Sequence, residues 1–414
     1  MSATLGQKAE AQFWESVFAN RAVRMQGSEV RELLKLLGLP GVISFAGGIP
    51  DPALFPNEAA ARAYAEILSN PATAAAALQY SVSEGYGPLK QDIIGLMARL
   101  GVVATLDNII VTAGSQQALD FMGKILLSPG DTALVPAPTF LGALQAFSAY
   151  EPRYDTIRPE LGNRSPESYA EDASAELPGA RVKFVYAVPD FDNPTGVTMS
   201  LDARERLLTL ARDLDIAVLE DSAYQALRFS GESVPTLQAL DIARTGSLDA
   251  SRVAYLGTFS KTVAPGLRIG WVCASAELIQ SLVLVKQASD LTVPAINQMV
   301  MHRIVSEQHD ALIDRARNLY RGKRDAMLAA LKVYMPKTVA WTQPEGGLFV
   351  WLTLPDGIDA HDLLRRAVAE VNVAFVPGSA FYHDGSGANT IRLSYSLPDA
   401  ADITEGIRRL ATLL

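Results

Sequence analysis

The run Gly257-Thr258-Phe259-Ser260-Lys261 decides how this chain is read. It follows the apolar stretch Arg252-Val253-Ala254-Tyr255-Leu256 and precedes Ala264-Pro265-Gly266-Leu267-Arg268-Ile269-Gly270-Trp271. Lys261 therefore stands at the end of a buried strand, with a hydroxyl beside it and an arginine seven positions on. Burying an ammonium is costly unless something compensates. One compensating role is imine chemistry, in which a desolvated amine of lowered pKa is the nucleophile. Taken alone, the segment also reads as a surface loop with one exposed lysine.

Outward from this run, short apolar stretches alternate with amphipathic ones. Strands are expected over 108–111, 132–135, 182–187, 216–219, 253–256 and 269–273, with helices over 116–127, 141–150 and 201–214. Strands apolar on both faces and separated by helices build a mostly parallel sheet with helices on either side. After about residue 291 the pattern changes. Two long helical stretches fill 294 to about 335, followed by strands over 348–352, 373–376 and 391–394, a helix over 360–370 and a final helix. The alanine-rich patch 72–77 fits a helix or a loop. The expected architecture is α/β: a large domain over 51–290 and a smaller α+β domain over 291–414 joined by the N-terminal stretch 1–50. Gly47-Gly48-Ile49-Pro50 is the expected crossing point between them.

At 414 residues the chain exceeds the ~250–300 at which one core stops growing, which agrees with two domains. A net charge of -9 argues against nucleic acid or an anionic membrane as the main partner, since both demand a basic face. Cys273 is the single cysteine, so no intrachain disulfide forms; its apolar surroundings suggest a buried structural thiol. His302, His309, His361 and His383 lack metal-ligand spacing. No apolar run reaches the ~18 residues of a membrane span. The N-terminal 20 residues have neither the basic nor the apolar segment of a secretion signal, so a cytoplasmic location is expected.

Ligands of open α/β sheets bind beyond the carboxyl ends of the strands, and the notable residues fall there. Thr112-Ala113-Gly114-Ser115-Gln116-Gln117 joins a strand to a helix. Its glycine turn and free helix N–H groups can cradle a phosphate, or can be an ordinary helix cap. A helix terminus gives a nearby anion only ~0.3–2 kcal/mol, so a dianion needs more, and Ser260 and Arg268 can supply hydrogen bonds. Glu220-Asp221-Ser222-Ala223-Tyr224 ends another strand. A carboxylate buried there needs a cationic partner or it neutralises, unless Asp221 only caps a turn. Asn193-Pro194-Thr195-Gly196 is a turn by composition. Phe140 could present an aromatic face to a ring or simply fill the core. Arg392 lies inside the apolar pattern Thr390-Ile391-Arg392-Leu393-Ser394, and a buried arginine needs an anion, either a ligand carboxylate or a structural partner.

In order and spacing, Gly114-Ser115-Gln116, Asn193-Pro194-Thr195-Gly196, Asp221 with Tyr224, Ser260-Lys261, Arg268 and Arg392 resemble the pyridoxal-phosphate-dependent aminotransferases of fold type I, class I/II, over nearly the whole chain. The resemblance implies pyridoxal 5'-phosphate bound to Lys261 as an imine. Asp221 would sit at the ring nitrogen, Tyr224 and Asn193 at the ring's phenolic oxygen, and Phe140 on the ring face. Ser115, Gln116, Ser260 and Arg268 would surround the phosphate, and Arg392, with Asn193 and Gly48, would hold the substrate carboxylate. It also implies a homodimer in which Tyr80 reaches the neighbouring subunit's phosphate. Ser44-Phe45-Ala46-Gly47-Gly48-Ile49-Pro50 and Gln79-Tyr80-Ser81 resemble the subgroup acting on 2-aminoadipate, kynurenine, aromatic and branched-chain amino acids. There Arg31 matches a position reaching a side-chain carboxylate, although a solvated helix arginine explains it as well. Phe140 replaces the usual tyrosine and Asp192 the usual glutamine, which leaves specificity open.

The implied reaction is ping-pong transamination between an L-amino acid and a 2-oxo acid, with 2-oxoglutarate as the family's habitual acceptor and Lys261 as the proton-transferring base. A pyridoxal-phosphate β-lyase shares the early chemistry. An aminotransferase-like regulatory protein would need an appended basic module, for which fewer than 50 residues precede Gly47-Gly48.

Overall fold

The computed structural model describes residues 13–24, 41–175 and 177–414. The first strand, β1 (Ile43–Ser44), leads into a turn and helix region ahead of the main sheet. That sheet has seven strands: β2 (Ile109–Thr112), β3 (Thr132–Pro136), β4 (Arg153–Ile157), β5 (Val182–Ala187), β6 (Ala217–Asp221), β7 (Val253–Thr258) and β8 (Gly270–Cys273). Their spatial order is β2-β8-β7-β6-β5-β3-β4. β8 runs antiparallel to both neighbours, and all other pairs are parallel.

Side chains alternate across a strand, so two apolar layers form. Phe184, Tyr186, Leu219, Leu256 and Val272 pack on one face with Phe121, Met122 and Phe147 from the covering helices. Val185, Ala187, Val218 and Val253 pack on the other with Leu207 and Leu208 of the Leu201–Asp213 helix. Because β2, β3, β5, β6 and β7 run the same way, their carboxyl ends share one edge. That edge carries Gly114, Phe140, Asn193, Asp221 and Lys261 in turn.

The later strands are β9 (Ala340–Trp341), β10 (Phe349–Thr353), β11 (Val373–Ala374), β12 (Val376–Pro377) and β13 (Thr390–Ser394). Four of them form an antiparallel sheet in the order β12-β13-β10-β9. β11 instead pairs in parallel with β1, so the N-terminal stretch packs with the C-terminal part of the chain.

Several expectations shift. The single strand expected over 373–376 divides between two sheets, and Phe375, fully buried, marks the change of partner. The two helical stretches after 294 are continuous over Ala295–Tyr334 apart from Gln308, whose φ of -147° and ψ of 17° break the helical path. The strand expected over 216–219 runs on through Asp221, which places that carboxylate inside the sheet edge. β4 was not expected: Arg-Tyr-Asp-Thr-Ile is polar because it is an edge strand, half exposed for four of its five residues. Residues 72–77 are helical, within Pro71–Leu78. Cys273 is buried and unpaired. Among the described residues no helix is long and apolar enough to cross a membrane.

Candidate active site

Lys261 lies three residues beyond the end of β7, in a turn that returns the chain to β8. Its Nζ donates to the carbonyl of Gly48 at 3.0 Å, which seats the N-terminal crossing directly on the lysine. The Tyr224 ring centroid is 5.9 Å from the same nitrogen. Burial, followed by the charges of Arg392 and Arg268, pulls the amine down to about 8, with Asp221 opposing. The neutral amine is thus within reach near physiological pH, as a nucleophile or base requires.

Asp221 is buried at the end of β6. Its Oδ2 accepts from the Tyr186 hydroxyl at 3.0 Å, whereas Oδ1 is buried with no hydrogen-bond partner among the described residues. Burial pushes the acid up to about 6, against the Tyr186 hydrogen bond, the Lys261 charge and the nearby Ala223 N–H. Tyr224 is buried too, and burial holds its phenol protonated against the pull of Arg392 and a hydrogen bond with Asn193.

The cup after β2 is built as its residue types require. Gly114 has φ of +87°, and a Cβ there would lie 2.7 Å from Arg268 Nη2, so only glycine fits. The Ser115–Leu126 helix begins immediately after it. Arg268 donates from Nη2 to the Ala113 carbonyl at 2.8 Å. Ser260 accepts from the Thr258 hydroxyl at 2.9 Å. Gln116 binds the Gly142 carbonyl at 2.7 Å, and a Cβ on Gly142 would strike the Phe140 ring, so Phe140 lies beside the cup.

Arg392, on β13, is buried between two rings, with its guanidinium carbon 4.4 Å from the Phe349 centroid and 4.9 Å from that of Phe381. Nη1 donates to Asn193 Oδ1 and Nη2 to the Ala46 carbonyl, both at 2.8 Å. These partners are neutral, and Nε is buried with no partner among the described residues. Burial lowers the group to about 10. Asp192 points its carboxylate at the Thr195 hydroxyl, 2.8 Å away, and burial raises it to about 7.

Lys261, Asp221, Tyr224, Asn193, Arg392 and Gly48 therefore converge, and Ser115, Gln116, Ser260, Arg268 and Phe140 form the adjoining cup. Tyr80 does not join them within one chain: it is 80% exposed. Arg31 lies outside the described residues. Sequence reasoning passed over four residues that support the site. Tyr186 holds Asp221, and Gln117 accepts from the Ala113 N–H at 2.9 Å. Lys286, fully buried, bonds to Gln117 and to Asp290, fixing that glutamine from behind. A lysine closing the apolar run Leu282-Val283-Leu284-Val285 was the available signal.

A sheet edge of this kind, with a depressed amine, a buried acid and a buried arginine, is a candidate catalytic site of an α/β enzyme. Comparison with known proteins makes the class specific. Residues 41–410 match the family model for aminotransferase class I and II. The 2-aminoadipate transaminase of Thermus thermophilus is 44% identical over 402 residues, covering 97% of each chain. The aromatic-amino-acid aminotransferase 1 of Thermococcus litoralis is 43% identical, covering 96% of this chain and 94% of the relative. Among solved structures, the α-aminoadipate aminotransferase of Thermus thermophilus, complexed with N-(5'-phosphopyridoxyl)-L-leucine, superposes with a TM-score of 0.85 at 42% identity, covering 96% of this chain and 97% of that one. The chain belongs to the class I and II aminotransferases, with the fold-type I architecture, and its chemistry is amino-group transfer.

Proposed function

We propose that this aminotransferase works with pyridoxal 5'-phosphate, and that an L-amino acid and a 2-oxo acid, 2-oxoglutarate among them, react in turn at the Lys261 site. The observation that carries the cofactor reading is Asp221: a buried carboxylate with one oxygen lacking a protein partner, close enough to Lys261 for each to shift the other. A pyridine N–H is the donor that oxygen lacks, and the Lys261 amine is the group that would hold an aldehyde. The Ser115 helix start, Gln116, Ser260 and Arg268 suit a phosphate dianion. When bound, the cofactor supplies an electron sink for charge developing at the α-carbon of the amino acid.

The protein's own contribution follows from its geometry. Asp221, oriented by Tyr186, would keep the ring nitrogen protonated. Tyr224 and Asn193 would donate to the ring's phenolic oxygen, and Phe140 would cover a ring face. Arg392 takes the α-carboxylate through the guanidinium edge whose Nε lacks a protein partner, with Asn193 and the Gly48 backbone beside it. Lys261 Nζ then takes up the α-proton, a role to which its lowered pKa is suited. The exposed Tyr80 would complete the phosphate site of a second copy, making the working unit a homodimer. The cofactor unit spans 51–290 in this reading, with the remainder forming the smaller unit that carries Arg392.

The test is the visible spectrum of the purified protein titrated with acidic, aromatic and branched-chain amino acids, 2-aminoadipate and kynurenine. A yellow band that collapses with one class and returns with 2-oxoglutarate is the expected result. Pyruvate released from a β-substituted amino acid without any acceptor would redirect the reading to a β-lyase. Absence of a band after adding pyridoxal phosphate would overturn it.

A further inference from the structure

The turn Ala113-Gly114-Ser115-Gln116 is gripped from several sides. Ala113 is held at both of its backbone groups: its N–H donates to Gln117 Oε1 at 2.9 Å, and its carbonyl accepts from Arg268 Nη2 at 2.8 Å. Gly270 lets the turn come close on another side, since a Cβ there would lie 2.8 Å from Gly114 Cα. The Gln117 grip depends on a side-chain amide that can rotate, so its orientation needs a cause.

That cause is a charged pair behind it. Lys286, fully buried, donates from Nζ to Gln117 Oε1 at 3.2 Å and to the two Asp290 carboxylate oxygens at 2.9 and 3.1 Å. Gln117 Nε2 in turn donates to Asp290 Oδ2 at 2.7 Å. An ammonium and a backbone N–H can only donate, whereas a carboxylate only accepts. One orientation of the amide satisfies all of them, with Oε1 toward Lys286 and Ala113 and Nε2 toward Asp290. The reverse orientation would set an NH₂ group against two donors and a carbonyl oxygen against a carboxylate.

The main chain holds the pair together. Asp290 lies beyond the end of the Ala276–Gln287 helix, where the N–H groups of Ser289, Asp290 and Leu291 converge on the Lys286 carbonyl at 3.0, 3.1 and 2.9 Å. This folds the Asp290 carboxylate back over the ammonium. Stability alone does not account for the arrangement. Burial lowers Lys286 below the usual lysine range, and apolar replacements of buried ion pairs are often neutral or stabilising.

We infer that Lys286 and Asp290 are positioning residues for the phosphate-binding turn, acting through the Gln117 amide on the Ala113 backbone, and so on Arg268 and the first N–H groups of the Ser115–Leu126 helix. The inference rests on the pyridoxal-phosphate reading of that turn. The hydrogen bonds of the pair lead through Gln117 to the turn and not to Lys261 or Asp221. Its removal should therefore be felt by the phosphate and not by the ring or the aldehyde.

The test compares pyridoxal 5'-phosphate with pyridoxal, the same aldehyde without the phosphate, by fluorescence titration of the cofactor-free protein. Lys286→Met keeps an unbranched chain beside the Phe121 ring, whose centroid is 5.9 Å from Nζ. It should weaken pyridoxal phosphate about tenfold, the worth of one buried hydrogen bond, and leave pyridoxal unchanged. Gln117→Leu, at a half-buried position, should give the same loss. The double variant should lose no more than either single one, because both cut the same path. If Lys286→Met does not fold, Asp290→Ala takes its place in the cycle. Unchanged pyridoxal-phosphate affinity, equal losses for the two aldehydes, or additive losses in the double variant would each overturn the inference. A wild type that takes up neither aldehyde would instead remove the pyridoxal-phosphate reading, and the inference with it.

Discussion

Replacing Arg392 by methionine separates a substrate clamp from a structural tie. The guanidinium has two neutral partners, Asn193 Oδ1 and the Ala46 carbonyl, each worth ~1 kcal/mol net. Against that stands the cost of holding a buried charge without an anion. Burial lowers the group to about 10, which corresponds to about 3 kcal/mol of unrelieved desolvation. Methionine keeps an unbranched chain between the Phe349 and Phe381 rings and removes both terms. The cofactor-free protein should therefore change in stability by no more than about 1 kcal/mol, in either direction.

Substrate binding has no such offset. A carboxylate facing the guanidinium gains charge-assisted hydrogen bonds worth ~3 kcal/mol in a dry site, so KM should rise about 100-fold. The rise should be common to every donor and every 2-oxo acid, because all carry the carboxylate. Steady-state kinetics with one donor and one acceptor, together with urea denaturation of the cofactor-free protein, read the two effects separately. An unchanged KM accompanied by a stability loss of about 3 kcal/mol would show that Arg392 is a structural tie and refute the clamp.

Other perturbations probe the remaining parts. Lys261→Met should abolish turnover. In cofactor-free protein it should also be more stable than wild type at pH 7. That advantage should shrink as pH rises above about 8, where the folded wild type sheds a proton the unfolded chain still holds; urea titrations at two pH values measure this. Gly114→Ala forces φ of +87° on an L-residue, ~1–2 kcal/mol, and crowds Arg268, so pyridoxal-phosphate affinity should fall at least about tenfold by fluorescence titration of the cofactor-free protein. Tyr186→Phe removes the hydroxyl that orients Asp221 and should lower kcat about tenfold while moving the pH dependence of the visible band; an unmoved band would deny the coupling. Asp192→Asn should remove a loss of stability that the wild type suffers as pH rises from the ordinary aspartate range through about 7, because burial disfavours the ionised form. Parallel pH–stability curves for the two proteins would show that Asp192 titrates normally.

The strand-end residues were legible in the sequence because each has a local signature: a charged or polar side chain at the close of an apolar run. Asp221, Lys261 and the Gly114 turn all read this way. Arg392 was legible by contrast with its own strand. What stayed hidden are the supports, whose meaning depends on long-range contact. Tyr186 looks like one more aromatic in an apolar strand until β6 places Asp221 beside it. Lys286 and Gln117 are 169 residues apart and meet only once the helices carrying them pack together. β4 escaped because an edge strand need not be apolar, and the 373–376 run divided because strand partners are not written into a hydrophobic pattern.

The charges at the site share one property that explains how fold and chemistry are linked. Burial drives Lys261 toward its neutral amine, Asp221 toward its neutral acid and Arg392 below its usual range. Lys261 and Asp221 relieve each other only in part, and Arg392 opposes Lys261. A chain optimised for stability alone would replace such groups with apolar residues or close them into ion pairs. Here the scaffold holds them apart instead: the Gly48 carbonyl under Lys261, the Tyr186 hydroxyl on Asp221, and the two rings around Arg392. Each restraint supplies orientation without supplying the opposite charge. In the proposed function, a cofactor bearing a ring N–H and a reactive carbonyl carbon, together with the carboxylate of an amino-acid substrate, would provide the missing complement at the three places. Either partner alone would meet only a fraction of that demand, so the site would favour the two in combination.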